Sequence, residues 1–327
     1  MLSRPWLIAI IAFDLVLWLG AVLWPAWRDE SRPMSLVLGL TPGTETLMVA
    51  HAKKELPERL INLVEMTWTS AEVRAFQNGV ADAAVLSLGE VIYLRESGVD
   101  VRVILVMDSS NGADGVVAKP QFHQLTDLRG KKVGMTSRAS SLYVFMRSLD
   151  KAGMTIGDVT SVPLNVIESE EAFANGEVDA VVISEPWLTR LVQRGGVNLA
   201  DSRNTPNDVF RLVAVRAERI PLFRESLQSL VNAHFRARLQ LMNMTDKDPA
   251  WAPCAKREGV PADKLRDMLN TILLPDEKKN RELLTPGTGG LTQAARKVST
   301  YMLEHGLITK VPDFDHFTDS SFVEHAP

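Results

Sequence analysis

The fold is decided by two similar stretches of sequence, AFQNGVADAAVLS at residues 75–87 and AFANGEVDAVVIS at residues 172–184. Eight of the thirteen aligned positions are identical, at an offset of 97 residues. A second match lies upstream, where Gly39-Leu40-Thr41 corresponds to Gly134-Met135-Thr136 at an offset of 95 residues. Because the two offsets nearly agree, we interpret the chain as two lobes built on one plan.

Each stretch predicts the same local structure. A helix ends at Gly79 in the first half and at Gly176 in the second, because glycine adopts the left-handed conformation that closes a helix. The strand that follows ends in a loop that begins at Ser87 or at Ser184. Both halves therefore predict a helix, a turn and a strand that delivers a serine to a loop.

The rest of the chain alternates strands and helices up to about residue 215 and is helical beyond it. Strands are predicted at 35–40, 101–107, 131–135, 178–183 and 210–215, helices at 44–54, 140–151, 221–243, 262–273 and 291–305, and a polar loop at 108–114. This alternation predicts an α/β fold with parallel strands.

Ligands of open α/β sheets bind beyond the carboxyl ends of the strands, so the repeat predicts one cleft between two facing lobes. Four loops would surround it, at 41–45, 87–90, 136–141 and 184–187. Loops 41–45 and 136–141 are rich in hydroxyls and precede helices, where free N–H groups suit a small oxyanion or carboxylate. The same hydroxyls can instead serve as helix N-caps.

The predicted ligand-binding residues follow from this placement. In these positions Arg138 would pair with an anion, Trp187 would stack on the ligand and Glu185 would accept a hydrogen bond from an amine. Asn111 and Asp208 lie at the two predicted crossings between lobes. The full set is Thr41, Gly43, Thr44, Trp68, Ser87, Leu88, Asn111, Ser137, Arg138, Ser140, Ser141, Glu185, Trp187 and Asp208.

Composition and motifs exclude other classes of function. The 327 residues carry 36 basic and 40 acidic side chains, which leaves no basic footprint for nucleic acid. The six histidines and the single cysteine, Cys254, show no metal-ligand spacing, and no phosphate-binding glycine motif or nucleophile elbow is present. We therefore expect no metal, no cofactor and no catalytic residues.

The N-terminal segment predicts a membrane anchor. Residues 6–27 contain 19 apolar residues out of 22 and four of the seven tryptophans, which is enough to span a bilayer. A cleaved signal peptide is the alternative, but small residues are missing at the cleavage positions and no nearby cysteine could carry a lipid. We expect residues 1–33 to form an uncleaved anchor and linker.

The segments LTDLRGKKVG at 125–134, GEVDA at 176–180 and EPW at 185–187 resemble the nitrate/sulfonate/taurine-type substrate-binding proteins of ABC importers. The resemblance covers about residues 35–215. At the start of the helix after residue 135 this chain has Ser137-Arg138-Ala139-Ser140, where the family commonly has Gly-Ser.

The resemblance implies a type II periplasmic-binding-protein fold, with the second lobe inserted into the first. The expected lobes are residues 34–118 plus 209–327, and residues 119–208. It further implies an extracytoplasmic protein, at the periplasmic side of the inner membrane, that captures a small oxyanion-bearing solute for ABC permease subunits. A ligand-sensing module that signals to a membrane partner, and a thiamine-pyrimidine-synthase-like enzyme, are the alternatives.

Overall fold

The structure is a computed structural model that describes residues 32–41, 43–66, 69–136 and 140–326. The strands of this part of the chain form two sheets. They are β1 (Met34–Gly39), β2 (Ile61–Met66), β3 (Ala83–Ser87), β4 (Val101–Ser110), β5 (Asp114–Ala118), β6 (Lys132–Met135), β7 (Thr160–Pro163), β8 (Ala180–Ser184), β9 (Val197–Asp201), β10 (Phe210–Arg216) and β11 (Ile272–Leu273).

The two sheets share one strand order. Sheet A runs β11-β4-β10-β3-β1-β2 and sheet B runs β7-β6-β8-β5-β9. In each, three parallel strands are followed by one antiparallel strand, which is β10 in sheet A and β5 in sheet B. The chain leaves sheet A after β4 and returns to it with β10, so it crosses between the sheets twice.

Strand pairing reproduces the 97-residue repeat. Leu36 pairs with Ala83 in sheet A, and Val133 pairs with Ala180 in sheet B, so both partners are displaced by the same offset. The Asp82 carboxylate accepts the Ser35 N–H at 2.8 Å, and the Asp179 carboxylate accepts the Lys132 N–H at 2.9 Å. The predicted match at an offset of 95 is two residues out of this register.

Helices cover both sheets, and most of the chain beyond β10 is helical. They are α1 (Glu45–Ala52), α2 (Thr69–Gln77), α3 (Leu88–Glu96), α4 (Ser140–Lys151), α5 (Val166–Asn175), α6 (Trp187–Gln193), α7 (Arg224–Asn243), α8 (Trp251–Glu258), α9 (Leu265–Leu269), α10 (Glu277–Leu284), α11 (Gly290–Glu304) and α12 (Ser321–Glu324). Helix α7 packs on α1, and α10 packs on β4. The late helices thus complete the core around sheet A.

The predicted α/β architecture is confirmed, with local corrections. The predicted loop at 108–114 is wrong at both ends, because β4 continues to Ser110 and β5 begins at Asp114. Strand β5, which the predicted lobe boundary leaves in the first lobe, pairs within sheet B. The predicted anchor at 6–27 lies outside the described residues, and none of the helices within them is long and apolar enough to cross a bilayer.

One buried amide joins the late helices to sheet A. The Asn280 side chain in α10 accepts the Val106 N–H at 2.8 Å and donates to the Val106 carbonyl at 3.1 Å. Asn280 is fully buried, so no water can replace it.

We predict that Asn280→Ala lowers the free energy of unfolding by about 2–4 kcal/mol, because it leaves both backbone groups of Val106 buried without partners. Urea-induced unfolding measures this change. Asn243→Ala, at an exposed amide, is the control and should cost less than about 1 kcal/mol. Equal effects of the two substitutions would contradict this role of Asn280.

Candidate ligand-binding cleft

A cleft of about 560 Å³ lies where the carboxyl ends of the parallel strands of both sheets meet, a volume typical of small-molecule sites. It is bounded by loops after β1, β3, β6 and β8. Its lining residues are Leu40, Thr41, Ser70, Glu72, Val73, Arg74, Gln77, Val85, Leu86, Ser87, Glu90, Tyr93, Thr136, Ser140, Ser141, Val166, Val182, Ser184, Glu185, Trp187 and Arg211.

Six of the predicted residues line this cleft. Sheet A and its loops supply Thr41 and Ser87, and sheet B and its loops supply four more. Those four are Ser140, Ser141, Glu185 and Trp187. The structure thus brings residues of all four predicted loops to one cleft, and their contact with a ligand stays a prediction.

Two predicted residues of the first loop are turned away from the cleft. Gly43 has a positive φ of 90°, and a β-carbon there would come within 2.1 Å of Asp108 Oδ2, so the position requires glycine for close packing. The Thr44 side chain is fully buried and donates to the Thr41 carbonyl at 2.6 Å. Both residues shape the loop rather than line the cleft.

Three more predicted residues lie elsewhere. Leu88 is buried and faces a smaller space beside α4 and α11. Asn111 lies at the first crossing, and its N–H donates to Thr271. Asp208 lies at the second crossing, where its carboxylate accepts hydrogen bonds from Tyr143 at 2.9 Å and Lys297 at 2.6 Å. The remaining predicted residues, Trp68, Ser137 and Arg138, lie outside the described residues and stay predictions.

A buried arginine forms the floor of the cleft. Arg211 of β10 pairs with Asp108 of β4 at 3.0 Å and with Asp114 of β5 at 3.6 Å. The three side chains are at most 5% exposed. Burial raises the pKa of Asp108 to about 7, and the Arg211 guanidinium opposes that rise. Since β4 belongs to sheet A and β5 to sheet B, this one guanidinium links the two sheets.

Asp114 also gathers hydroxyl groups from both sheets. Its carboxylate accepts hydrogen bonds from Ser110 at 2.6 Å, Ser140 at 2.5 Å and Ser184 at 2.7 Å. Ser110 ends β4, whereas Ser140 begins α4 and Ser184 ends β8. The start of α4 and the end of β8 are therefore held by the same carboxylate that pairs with Arg211.

Acidic side chains occupy the helix N-termini that face the cleft. The Glu90 carboxylate accepts the Ser87 N–H at 2.8 Å, and the Glu185 carboxylate accepts the Thr189 N–H at 3.0 Å. Burial raises the pKa of both Glu90 and Glu185 to about 7, although these hydrogen bonds lower it. The positive ends of α3 and α6 are thus already compensated by the chain's own carboxyl groups.

The loop after β1, where an anion site was predicted, also has a carboxylate of the chain at its helix start. Glu45 stands in the first turn of α1, and its carboxylate accepts the Gly43 N–H at 2.6 Å. The N–H group that was expected to meet an oxyanion therefore has an internal acceptor. Helix α4 has no acidic residue in its own first turn, although its first hydroxyl, that of Ser140, already donates to Asp114.

Sequence reasoning missed the charged residues of the cleft, chiefly Arg211, Glu72 and Glu90. Arg211 lies in a predicted strand that is otherwise apolar, and Asp108 follows another. A charge within a buried strand needs a partner, so these two positions carried a signal that was overlooked. Glu72 lies upstream of the repeated stretch, in the helix that ends before Gly79, and carries no comparable local signal. Glu90 carries one that was also overlooked, because Ser87 and Glu90 have the spacing of a capping box.

The single cysteine and His234 lie in the core, away from the cleft. Cys254 in α8 is buried, and burial raises the pKa of its thiol to about 11. His234 in α7 shares a hydrogen bond of 2.9 Å with Thr46, and burial lowers its pKa to about 3. At neutral pH the thiol is protonated and the imidazole is neutral, and neither residue lines the cleft.

Comparison with known proteins gives a family and a fold. The NMT1-like family model matches residues 29–252. The taurine-binding periplasmic protein of Escherichia coli is 22% identical over 266 residues, which are 77% of this chain and 80% of that protein.

Two solved structures illustrate the fold. The alkanesulfonate-binding protein SsuA from Xanthomonas axonopodis pv. citri, bound to MOPS, has a TM-score of 0.73 at 17% identity over 89% of this chain and 99% of its own. The desulfurization enzyme DSZB has a TM-score of 0.61 at 16% identity over 89% and 98% of the two chains. The expected periplasmic-binding-protein fold is confirmed.

We predict that Arg211→Met lowers the free energy of unfolding by about 3–5 kcal/mol, because it leaves Asp108 and Asp114 buried without a counter-charge. Urea-induced unfolding measures the loss. Arg59→Met is the control: its ion pair with Glu225 is about three-quarters exposed, so we expect a change below about 1 kcal/mol. Similar small losses in both variants would contradict a structural role for the Arg211 ion pairs.

We predict that the protein without ligand becomes less stable as the pH rises from 5 to 8. Glu185 keeps its proton more firmly in the folded chain than in the unfolded one, so its contribution is complete below the unfolded pKa and is lost as the pH passes 7. Thermal unfolding at a series of pH values should show this fall, and Glu185→Gln should reduce it by on the order of 2 kcal/mol. An unchanged pH profile in Glu185→Gln would contradict the raised pKa, with exposed Glu171→Gln as the control.

Proposed function

Because the chain belongs to the NMT1-like family, we propose that it is an extracytoplasmic solute-binding protein that delivers a small organic solute to the permease subunits of an ABC importer. The observation that carries this proposal is the cleft itself. Loops from two sheets of equal strand order line it, and the chain crosses between those sheets twice beneath it. This is the arrangement a clamp requires.

The two sheets would act as two lobes that close on the solute. The expected lobes, residues 34–118 plus 209–327 and residues 119–208, change at one boundary, since β5 pairs within sheet B. We assign residues 34–110 and 210–327 to the first lobe and 114–201 to the second, with the first crossing at residues 111–113. The second crossing is at residues 202–209. A solute that contacts both lobes stabilises the closed state by its differential affinity for that state.

An oxyanion of the solute would bind at the start of α4. Ser141 lines the cleft there, and the helix N-terminus adds its positive end. The hydroxyls of Thr136 and Ser140, which also line it, would have to exchange their present acceptors, Leu164 and Asp114, for the oxyanion. The predicted ligands Ser137 and Arg138 belong to the same loop. The relatives that bind taurine and alkanesulfonates support an organic solute with such a group.

Residues 6–27 would anchor the protein at the periplasmic side of the inner membrane and keep it near its permease. Their length and apolar composition suit a membrane-spanning helix. Cleavage of the same segment would release the protein into the periplasm, which is the alternative.

We propose capture rather than catalysis, and the core positions of the cysteine and of His234 support it to the extent that neither residue reaches the cleft. Although DSZB is an enzyme with the same fold, a fold does not determine chemistry. In this chain Cys254 is a protonated core thiol and His234 is a neutral core imidazole.

We predict that a solute of the correct class raises the melting temperature of the full chain, kept in detergent micelles. A solute at a hundred times its Kd stabilises the folded state by about 2.7 kcal/mol. The panel for thermal unfolding contains alkanesulfonates, taurine, nitrate, carboxylates and pyrimidines. No shift with any of these compounds would contradict the proposal.

The variant Trp187→Ala links the shift to the cleft, since Trp187 lines it. Titration calorimetry should show that its Kd rises at least about tenfold. Trp251→Phe is the matched control, because Trp251 donates to Ala262 within the late helices and should keep the wild-type Kd.

A further inference from the structure

One carboxyl group in the cleft has no hydrogen-bond partner within the part of the chain that the structure describes. Glu72 in the first turn of α2 lines the cleft and is 1% exposed, yet its Oε1 forms no hydrogen bond. The carboxyl group packs on Gly39 at the end of β1, where a β-carbon would come within 2.0 Å of Oε1. Gly39 therefore makes room for an acid that the folded chain does not satisfy.

The acidic neighbours of Glu72 make its ionised form less favourable still. Its pKa is raised well above the usual range, first by burial and then by the nearby carboxyl groups of Glu90 and Glu65. Glu65 is paired with Arg257, whose guanidinium also binds Glu258 and the Gly39 carbonyl. Two cations that could offset Glu72 are thus committed elsewhere, because Arg211 is already paired with two aspartates.

Burying a carboxyl group without a hydrogen-bond partner or counter-charge costs stability. Buried polar groups of folded proteins are therefore normally hydrogen-bonded. Glu90 and Glu185 show the normal solution, since each accepts hydrogen bonds from its own helix start. Glu72 stands in the same kind of position but makes none of these bonds. A group that lines a binding cleft and lacks an internal partner is a candidate to receive one from the ligand.

We propose that the solute carries a protonated amine or an N–H-rich nitrogen group that donates to Glu72, with Glu90 on the same wall of the cleft. The inference rests on the proposed function, because it names the chemical class of the solute that the clamp captures. It makes Glu72 a specificity-determining residue. A protonated amine would stabilise the ionised form of the Glu72 carboxyl group, which a bare anion cannot do.

The rest of the cleft accommodates the opposite end of such a solute. Arg74 lies exposed at the rim, and the hydroxyl-rich start of α4 lies across the cleft in the second lobe. A solute with a cationic nitrogen at the Glu72 wall and an oxyanion toward α4 would contact both lobes. Such a solute keeps the predicted oxyanion and must in addition carry a cationic nitrogen.

Calorimetric titration with matched sets of compounds tests the proposal. One set is taurine, ethanesulfonate and ethylamine, and a larger set is aminomethylbenzenesulfonate, toluenesulfonate and benzylamine. One dilute phosphate buffer is used throughout, so that competition from its oxyanion is equal for all compounds, and Tris, an amine, and HEPES, a sulfonate, are avoided. We expect the amine-bearing sulfonate of at least one set to bind at least about tenfold more tightly than its nitrogen-free partner.

Glu72→Gln assigns the difference to this residue. We expect it to remove most of the preference for the amine, while exposed Glu171→Gln, with the same change of charge, keeps it. The melting temperature of ligand-free Glu72→Gln should equal or exceed that of the wild type, whereas loss of a structural carboxylate would lower it.

Each result of these titrations decides the proposal. A nitrogen-dependent preference that Glu72→Gln abolishes supports it. Equal binding of nitrogen-free sulfonates, or a preference that survives in Glu72→Gln, overturns it and leaves the proposed function intact. Absence of binding by every compound in both sets, and by the wider panel above, overturns both.

Discussion

The connection between the two sheets depends on the carboxylates that neutralise Arg211. A guanidinium in the middle of a buried strand must have carboxylates beside it, and it takes Asp108 from sheet A and Asp114 from sheet B. Asp114 then collects hydroxyl groups from the end of β4, the start of α4 and the end of β8. The ion pairs of Arg211 with Asp108 and Asp114 therefore hold the first crossing between the sheets, and through Asp114 also the start of α4 and the end of β8.

The same region shows how the cleft obtains its charge. Helices that start at the carboxyl ends of parallel strands present positive ends, and such ends usually favour anions. In this chain Glu45, Glu90 and Glu185 occupy three of those ends with their own carboxylates. The cleft is therefore more acidic than its topology alone would suggest. The start of α4 is its hydroxyl-rich side, and there the carboxylate of Asp114 binds the Ser140 hydroxyl.

Sequence reasoning succeeded where a short pattern has a strong geometric consequence. Each repeat has an Asn-Gly turn followed by an aspartate, Asp82 or Asp179. Each aspartate accepts the N–H of the neighbouring parallel strand in the same way, so the match in sequence corresponds to a match in structure. The positions of Ser87, Glu185 and Trp187 followed from that. Lobe boundaries and the roles of the remaining predicted residues stay predictions.

It failed where the partner of a residue is distant in the chain. Arg211 meets Asp108 across 103 residues, and no local pattern announces that contact. Thr44 has the composition of a ligand-binding hydroxyl, yet it donates to its own loop carbonyl. A helix N-terminus in a sequence shows that N–H groups exist, but only the fold shows that a glutamate two residues away has already taken one.

The central claim is that two lobes close on a solute held between them, and a distance across the cleft tests it most directly. Spin labels on Asn78→Cys in the first lobe and Glu171→Cys in the second report that distance by electron paramagnetic resonance, since the native Cys254 is buried. With the solute that gives the largest thermal shift, the account predicts a distance distribution displaced to shorter values. A distribution that does not change at saturation would contradict it.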